Sequence, residues 1–272
     1  MRVQLIDFSM AVKEGGSGLP VLFIHGYPLN NEMWTRQLDN LSEVVHVIAP
    51  DLRGHGDSES TPVEDLDSRG YSMDMMAEDC SALLDKLKIN RPVGLCGLSM
   101  GGYISFAFYR KYPERVKGLV LTATRASADS QGGINARNEA IQLAKNKGIN
   151  AIIEASLPKM MAPKTYTQHP ELVMEVHKIM QNTSLDGIVG DLMGMINRPD
   201  STSMLSEIHV PTLIIHGNDD QIIPLEEVET MHNAIPKSKL VILPNAGHLL
   251  NLEQPELFND TLKIFLQELT SE

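Results

Sequence analysis

The sequence predicts an α/β fold: a mostly parallel central sheet flanked by helices, with a helical segment inserted late in the sheet. Three observations predict it. Short, continuous apolar runs recur along the chain, the pattern of strands covered on both faces. Amphipathic helical segments lie between them, and strand alternating with helix implies parallel crossovers. The alternation then fails over residues 127–199, where only helical patterns occur.

The elements follow in order. From Arg2 to Val12 the pattern alternates as in a β-hairpin, and Gly15-Gly16-Ser17-Gly18 is a turn. Val21–Ile24 is the first continuous apolar run. Others are Val44–Ala49, Val93–Cys96, Leu119–Thr122, Leu213–Ile215 and Leu240–Leu243. Met73–Leu87 carries Met76, Ala77, Cys80, Leu83, Leu84 and Leu87 at helical spacing. Met100–Tyr112 and Pro255–Leu266 read as two more helices. Within 127–199 the expected helices are Asn135–Lys147, Asn150–Met160, Pro170–Gln181 and Leu185–Ile196. So few short helices would make a meagre core alone. The segment therefore reads as a cap (lid) inserted into one core domain formed by 1–126 and 200–272.

Composition narrows the function classes. At 272 residues and 42% hydrophobic content, one core domain with an insertion fits. The net charge of −12 argues against a nucleic-acid partner, which requires a basic stripe to replace phosphate counterions. Two cysteines, Cys80 on a helix and Cys96 on a buried strand, make a disulfide framework or a Cys-rich metal site an unsuitable reading. The start MRVQLIDFSMAV lacks a signal peptide's apolar core, and no apolar run has membrane-spanning length. A cytoplasmic protein without a membrane partner is expected.

The chemistry starts at Gly97-Leu98-Ser99-Met100-Gly101-Gly102, which follows one apolar run and opens a helix. A serine on so sharp a strand-to-helix turn sits in strained backbone, and small neighbours leave it room. The turn exposes its hydroxyl, and the helix start aims N–H groups at developing negative charge. A serine hydroxyl is a weak nucleophile that needs a base, and the base needs an orienting group. Of nine histidines, His248 in Asn245-Ala246-Gly247-His248 is the candidate base, because it lies just past the last run. Asp219 and Asp220 both follow the preceding run and could orient it.

Read together, His25-Gly26-Tyr27-Pro28, Asp51-Leu52-Arg53-Gly54-His55-Gly56-Asp57-Ser58, Gly97–Gly102, the Asp220 segment and Gly247-His248 resemble the α/β-hydrolase superfamily. The resemblance covers roughly 1–125 and 200–272. It implies the α/β-hydrolase fold and a catalytic set of Ser99, Asp220 and His248, with the acid three residues after Gly217. It also implies an oxyanion hole from the Tyr27 and Met100 backbone N–H groups, each worth about 2.7–4 kcal/mol. His25 then braces the loop, and His55 and Asp57 are structural. Thr122–Ala126 resembles the carboxylesterase and 3-oxoadipate enol-lactonase branch. Serine at 99 disfavours the dehalogenase and epoxide hydrolase reactions of this fold, which use aspartate.

The expected function is a serine hydrolase cleaving a small ester, thioester or lactone through an acyl-enzyme. The partner is a small acyl substrate. No cofactor or metal is required, and no H-E-x-x-H spacing is present. Arg125, just past a strand end, and Met160 and Met161 are the candidate substrate contacts. Met174, Met180, Met193 and Met195 join those two methionines in an adaptable apolar roof. C–C bond hydrolysis and cofactor-free perhydrolysis of the haloperoxidase kind fit the same residues. So does a ligand sensor of another class, since fold does not fix function.

Overall fold

A computed structural model describes residues 1–271. A hairpin comes first, β1 (Arg2–Gln4) and β2 (Ser9–Gly15). Next are β3 (Pro20–Ile24), α1 (Thr35–Leu41), β4 (His46–Pro50), α2 (Met73–Lys86), β5 (Val93–Leu98), α3 (Met100–Lys111) and β6 (Val116–Thr122). Helices α4 (Gln131–Lys147), α5 (Ile149–Ser156), α6 (Thr165–Gln168), α7 (Pro170–Gln181) and α8 (Leu185–Ile196) precede the next strand. Then come β7 (Thr212–Gly217), α9 (Leu225–Ala234), β8 (Ser238–Leu243), α10 (Leu250–Glu253) and α11 (Pro255–Ser271).

The strands form one sheet in the order β1-β2-β4-β3-β5-β6-β7-β8. The first two pairings are antiparallel, and those from β4 to β8 are parallel. From β3 the chain crosses to β4, and from β5 it crosses the opposite way to β6. Such a reversal opens a crevice at the carboxyl ends of the two strands, where ligands bind in open α/β sheets.

The apolar runs become strands because both faces of the sheet are covered. Along β3, Val21 and Phe23 enter one core, with Leu98, Val120 and Ile215, whereas Leu22 and Ile24 enter the other, with Leu95, Leu119 and Ile214. Alternate side chains point to opposite faces, so a strand between two cores must be apolar throughout. On α2, Met76, Ala77, Cys80, Leu83 and Leu84 are all buried. Ser72 caps it by accepting the Met75 N–H at 3.2 Å. On the other face Trp34 is fully buried between Phe23 and Phe258, with ring centroids 5.2 and 6.2 Å away. This contact docks α11 against the sheet.

The helical segment has no core of its own. Ile141, Ala144, Ile188 and Leu192 join one of the two cores, and Ile153, Val176 and Met180 join the other. Helices α7 and α8 run over the residues the sequence predicts.

Several features differ from the sequence reading, among them α4, which starts at Gln131 rather than Asn135, and α5, which ends at Ser156 rather than Met160. Met174 is 74% exposed on α7, so it is no part of an apolar roof. Strand β8 is an edge strand, and Ile242 is 37% exposed rather than buried on both faces. Helix α9 was not anticipated, because Glu226, Glu227 and Glu229 dilute its apolar stripe to Val228 and Met231. Helices α1, α6 and α10 are too short to show a period.

Candidate active site

Ser99 stands between β5 and α3 with φ 54° and ψ −112°. A non-glycine residue held there costs about 1–3 kcal/mol, so the surroundings must hold it. The Ser99 N–H donates to Thr122 O at 2.9 Å. The Thr124 Oγ1 hydroxyl donates to Ser99 O at 2.8 Å. The flanking glycines are sterically required. A Cβ on Gly97 would strike the Gly101 carbonyl, and one on Gly101 would strike the main chain of Ile24.

His248 and Asp220 meet past the carboxyl ends of β8 and β7. The His248 Nδ1–H donates to Asp220 Oδ2 at 2.9 Å. Asp220 Oδ1 accepts the Ile222 and Ile223 N–H groups at 2.7 and 3.1 Å, which fixes the carboxylate. Burial pushes the Asp220 carboxyl up, but the His248 imidazole and these N–H groups outweigh it and leave it below its ordinary value. Asp219 turns away and lines a polar groove of about 550 Å³ with Lys164, Thr165 and Glu253. Of the two aspartates, it is Asp220 that pairs with His248. With Nδ1 donating, the neutral imidazole carries its lone pair on Nε2, the state a base requires.

The carboxyl ends of β5, β7 and β8 lie on one edge of the sheet, so Ser99, Asp220 and His248 share that edge. Among the described residues Ser99 Oγ makes no hydrogen bond to His248. Contacts of this kind are often long before substrate binds.

The loop after β3 is braced from below. His25 Nε2 accepts the Leu52 N–H at 2.9 Å, and its Nδ1–H faces Gly26 O at 3.1 Å. Burial, then the neighbouring His55, push His25 well below its ordinary value, so it stays neutral. Gly26 packs against Leu98 and Ser99. Among the described residues neither the Tyr27 nor the Met100 backbone N–H donates to another protein group.

The remaining candidates take different places. Met160 and Met161 are buried, and their carbonyls accept from Leu249 N–H and Gln221 Nε2 at 3.0 and 3.1 Å. Arg125 is engaged by Asp129 at 2.6 Å. Arg137 and Arg198 bind the same carboxylate, which is 1% exposed, and Arg198 also lies over the Tyr103 ring at 4.1 Å. Burial pushes Asp129 up, and the arginines outweigh it and hold it below its ordinary value. Arg137 reaches Asp129 through Nε, and its two terminal nitrogens bond nothing among the described residues.

Several polar residues of the site escaped sequence reasoning. His216 lies 3.8 Å from Asp220 Oδ2 and is buried. Asp191 on α8 lies 3.0 Å from His55 Nε2, with both side chains fully buried. Burial pushes His55 down, and Asp191 outweighs it and raises it. Glu253 faces the His248 loop. The His55–Asp191 pair joins residues distant in sequence, so no local signal announces it.

The geometry can be set beside known proteins. A model of the alpha/beta hydrolase fold family matches residues 20–255. A thermophilic esterase from Thermogutta terrifontis, solved with malate bound, is similar at TM-score 0.94 and 36% identity, covering 99% of this chain and 99% of that one. A bromoperoxidase from Bacillus anthracis is similar at TM-score 0.83 and 27% identity, over 96% of each chain. By sequence, 3-oxoadipate enol-lactonase 2 of Acinetobacter baylyi is 28% identical over 91% of this chain and 88% of its own length.

Proposed function

We infer the reaction from one premise: this chain belongs to the alpha/beta hydrolase fold family. The reading is a serine hydrolase of carboxylic ester-type bonds. The observation that carries it is the 2.9 Å pairing of His248 Nδ1 with Asp220, on the sheet edge that also presents Ser99. The esterase and enol-lactonase among its relatives support the same substrate class.

The reaction runs in two halves. Ser99 Oγ attacks the carbonyl carbon of an ester, thioester or lactone while His248 Nε2 takes its proton. Asp220 keeps the imidazole oriented and stabilises its charged form. The Tyr27 and Met100 N–H groups donate to the oxyanion, each contributing about 2.7–4 kcal/mol. The alcohol or thiol leaves with the proton from His248, and Ser99 holds the acyl group. Water, deprotonated by the same histidine, then releases the acid. These steps use only protein groups and water. Residues 127–199 are read as a cap over this edge. In the described residues no helix is long and apolar enough to cross a membrane.

A second feature sharpens the substrate class. Among the described residues the terminal fork of Arg137 bonds nothing, and its charge only partly opposes the burial and the Asp191 carboxylate that push the Tyr27 phenol of the oxyanion loop up. A guanidinium fork matches a carboxylate, so a substrate carrying one is favoured. Hydrogen peroxide in place of water would divert the same acyl-enzyme to a peracid, the perhydrolase reading that the bromoperoxidase likeness supports.

The test is hydrolysis of short p-nitrophenyl esters by the wild type and Ser99→Ala. Loss of about 10⁶-fold in kcat is expected for the variant. Equal turnover by both would refute the serine mechanism. Ligand binding without turnover in the wild type would instead support a sensor.

A further inference from the structure

The acid and the base are not held by their own loops alone. Segment 160–165, between α5 and α7, reaches across to both. The Leu249 N–H donates to Met160 O at 3.0 Å, and Gln221 Nε2 donates to Met161 O at 3.1 Å. At the centre stands Glu253, the last residue of α10. Its Oε2 accepts the Gly247 N–H at 2.7 Å. Its Oε1 accepts the Ala162 N–H at 2.8 Å and the Thr165 hydroxyl at 2.6 Å. One carboxylate therefore joins the peptide next to His248 to the helical segment.

The base loop needs such a restraint. Asn245 sits at φ 54°, which an asparagine tolerates but does not favour. A side chain on Gly247 would run into the main chain of Met161 and Ala162, so loop and segment touch directly. The Asp219 N–H donates to Ala246 O at 2.9 Å and couples the acid loop to the same assembly.

We propose that Glu253 is a positioning residue for the base: its carboxylate seats His248 against Asp220 only while segment 160–165 is docked. The proposal rests on the assignment of His248 as the base. All of Glu253's partners are donors, so both of its oxygens must be acceptors. An amide there would set its own N–H against at least one donor, leaving that donor unpaired. Small misplacements of a catalytic group are costly, about 10²-fold for 1 Å. Glu253 thus acts on rate rather than on substrate affinity, and it makes the seating of the base depend on the inserted segment.

The variants are Glu253→Gln and, on the far side of the link, Thr165→Val. Three measurements are made: steady-state kinetics on p-nitrophenyl acetate, circular dichroism, and the downfield proton resonance of the His248–Asp220 hydrogen bond. Folded Glu253→Gln is expected to lose about 10–100-fold in kcat with KM within about twofold, and its downfield proton to shift or broaden. Thr165→Val should show the same signs at about 3-fold in kcat, because Ala162 still bonds the carboxylate. Folded Glu253→Gln with wild-type kcat and an unchanged resonance would overturn the proposal. If that variant does not fold, Thr165→Val decides by the same two readouts. If the wild type hydrolyses no ester, the functional reading fails, while the proton resonance still tests the positioning.

Discussion

The sheet and the helical segment at 131–196 bury their residues on different principles. In β3, Val21, Leu22, Phe23 and Ile24 each enter one of two cores, leaving no position among them for a polar group. In α7 only Leu172, Val176, Ile179 and Met180 are fully buried, and polar residues occupy much of the rest of the helix. In the proposed mechanism the sheet therefore delivers chemistry only where its strands stop, at Ser99, Asp220 and His248. The helices can carry charge into the joint itself, as Asp191 does against His55. The comparison teaches a division of labour: strand ends supply the reacting groups, and the inserted helices supply buried charges that tie loops together and set what may approach.

Substitutions ranked by expected effect can break or sharpen that division. The largest belongs to a strand end. Asp220→Asn should lower kcat by about 10⁴-fold with little change in melting temperature, since an amide can present N–H to Nδ1 and invert the tautomer. A loss below tenfold would remove Asp220 from the catalytic set.

Next comes the joint. Asp129→Asn leaves three guanidiniums without their buried carboxylate and should cost about 3–5 kcal/mol at neutral pH in urea unfolding. Asp129's folded pKa lies below its ordinary 3.8. Its contribution is thus complete above that value and is lost as pH falls through it toward the lower folded value. Wild type and variant should therefore converge in stability well below pH 3.8. A gap that stays constant with pH would assign the loss to shape rather than charge.

A smaller effect separates approach from reaction. Arg137→Gln should raise KM about tenfold for a p-nitrophenyl ester carrying a carboxylate on its acyl chain, the loss of a charged hydrogen bond of roughly 1.5 kcal/mol. KM for the acetate should not move. Equal changes for both esters would count against a carboxylate subsite. The smallest is Ser130→Ala. Ser130 caps α4 by accepting the Gly133 N–H at 3.2 Å, and its loss should cost about 1 kcal/mol. A change in kcat for the acetate would mean that α4, and not only segment 160–165, acts on the reaction.

Legibility in the sequence follows the same division. Continuous apolar runs mark strands buried twice over, and they located β3, β5, β6 and β7. The serine turn is visible because its glycines are sterically required within a few residues of it. The choice of Asp220 over Asp219 came from resemblance to a family, and the His248 hydrogen bond then supplied a geometric reason. Asp191, Asp129 and Glu253 were not legible. His55 for Asp191, Arg198 for Asp129, and Ala162 and Thr165 for Glu253 lie far away in sequence, and an isolated acid reads as a solvated residue until the fold closes around it. Arg125 illustrates the converse, since its position past a strand end marked it as a substrate contact but Asp129 occupies it.

Trp34 is the chain's one tryptophan, and it lies buried between an aromatic ring of the sheet and one of the final helix. Its indole therefore emits from an apolar site, at short wavelength, and shifts to the red when that helix lets go. Intrinsic fluorescence can thus follow every unfolding curve proposed above without a label.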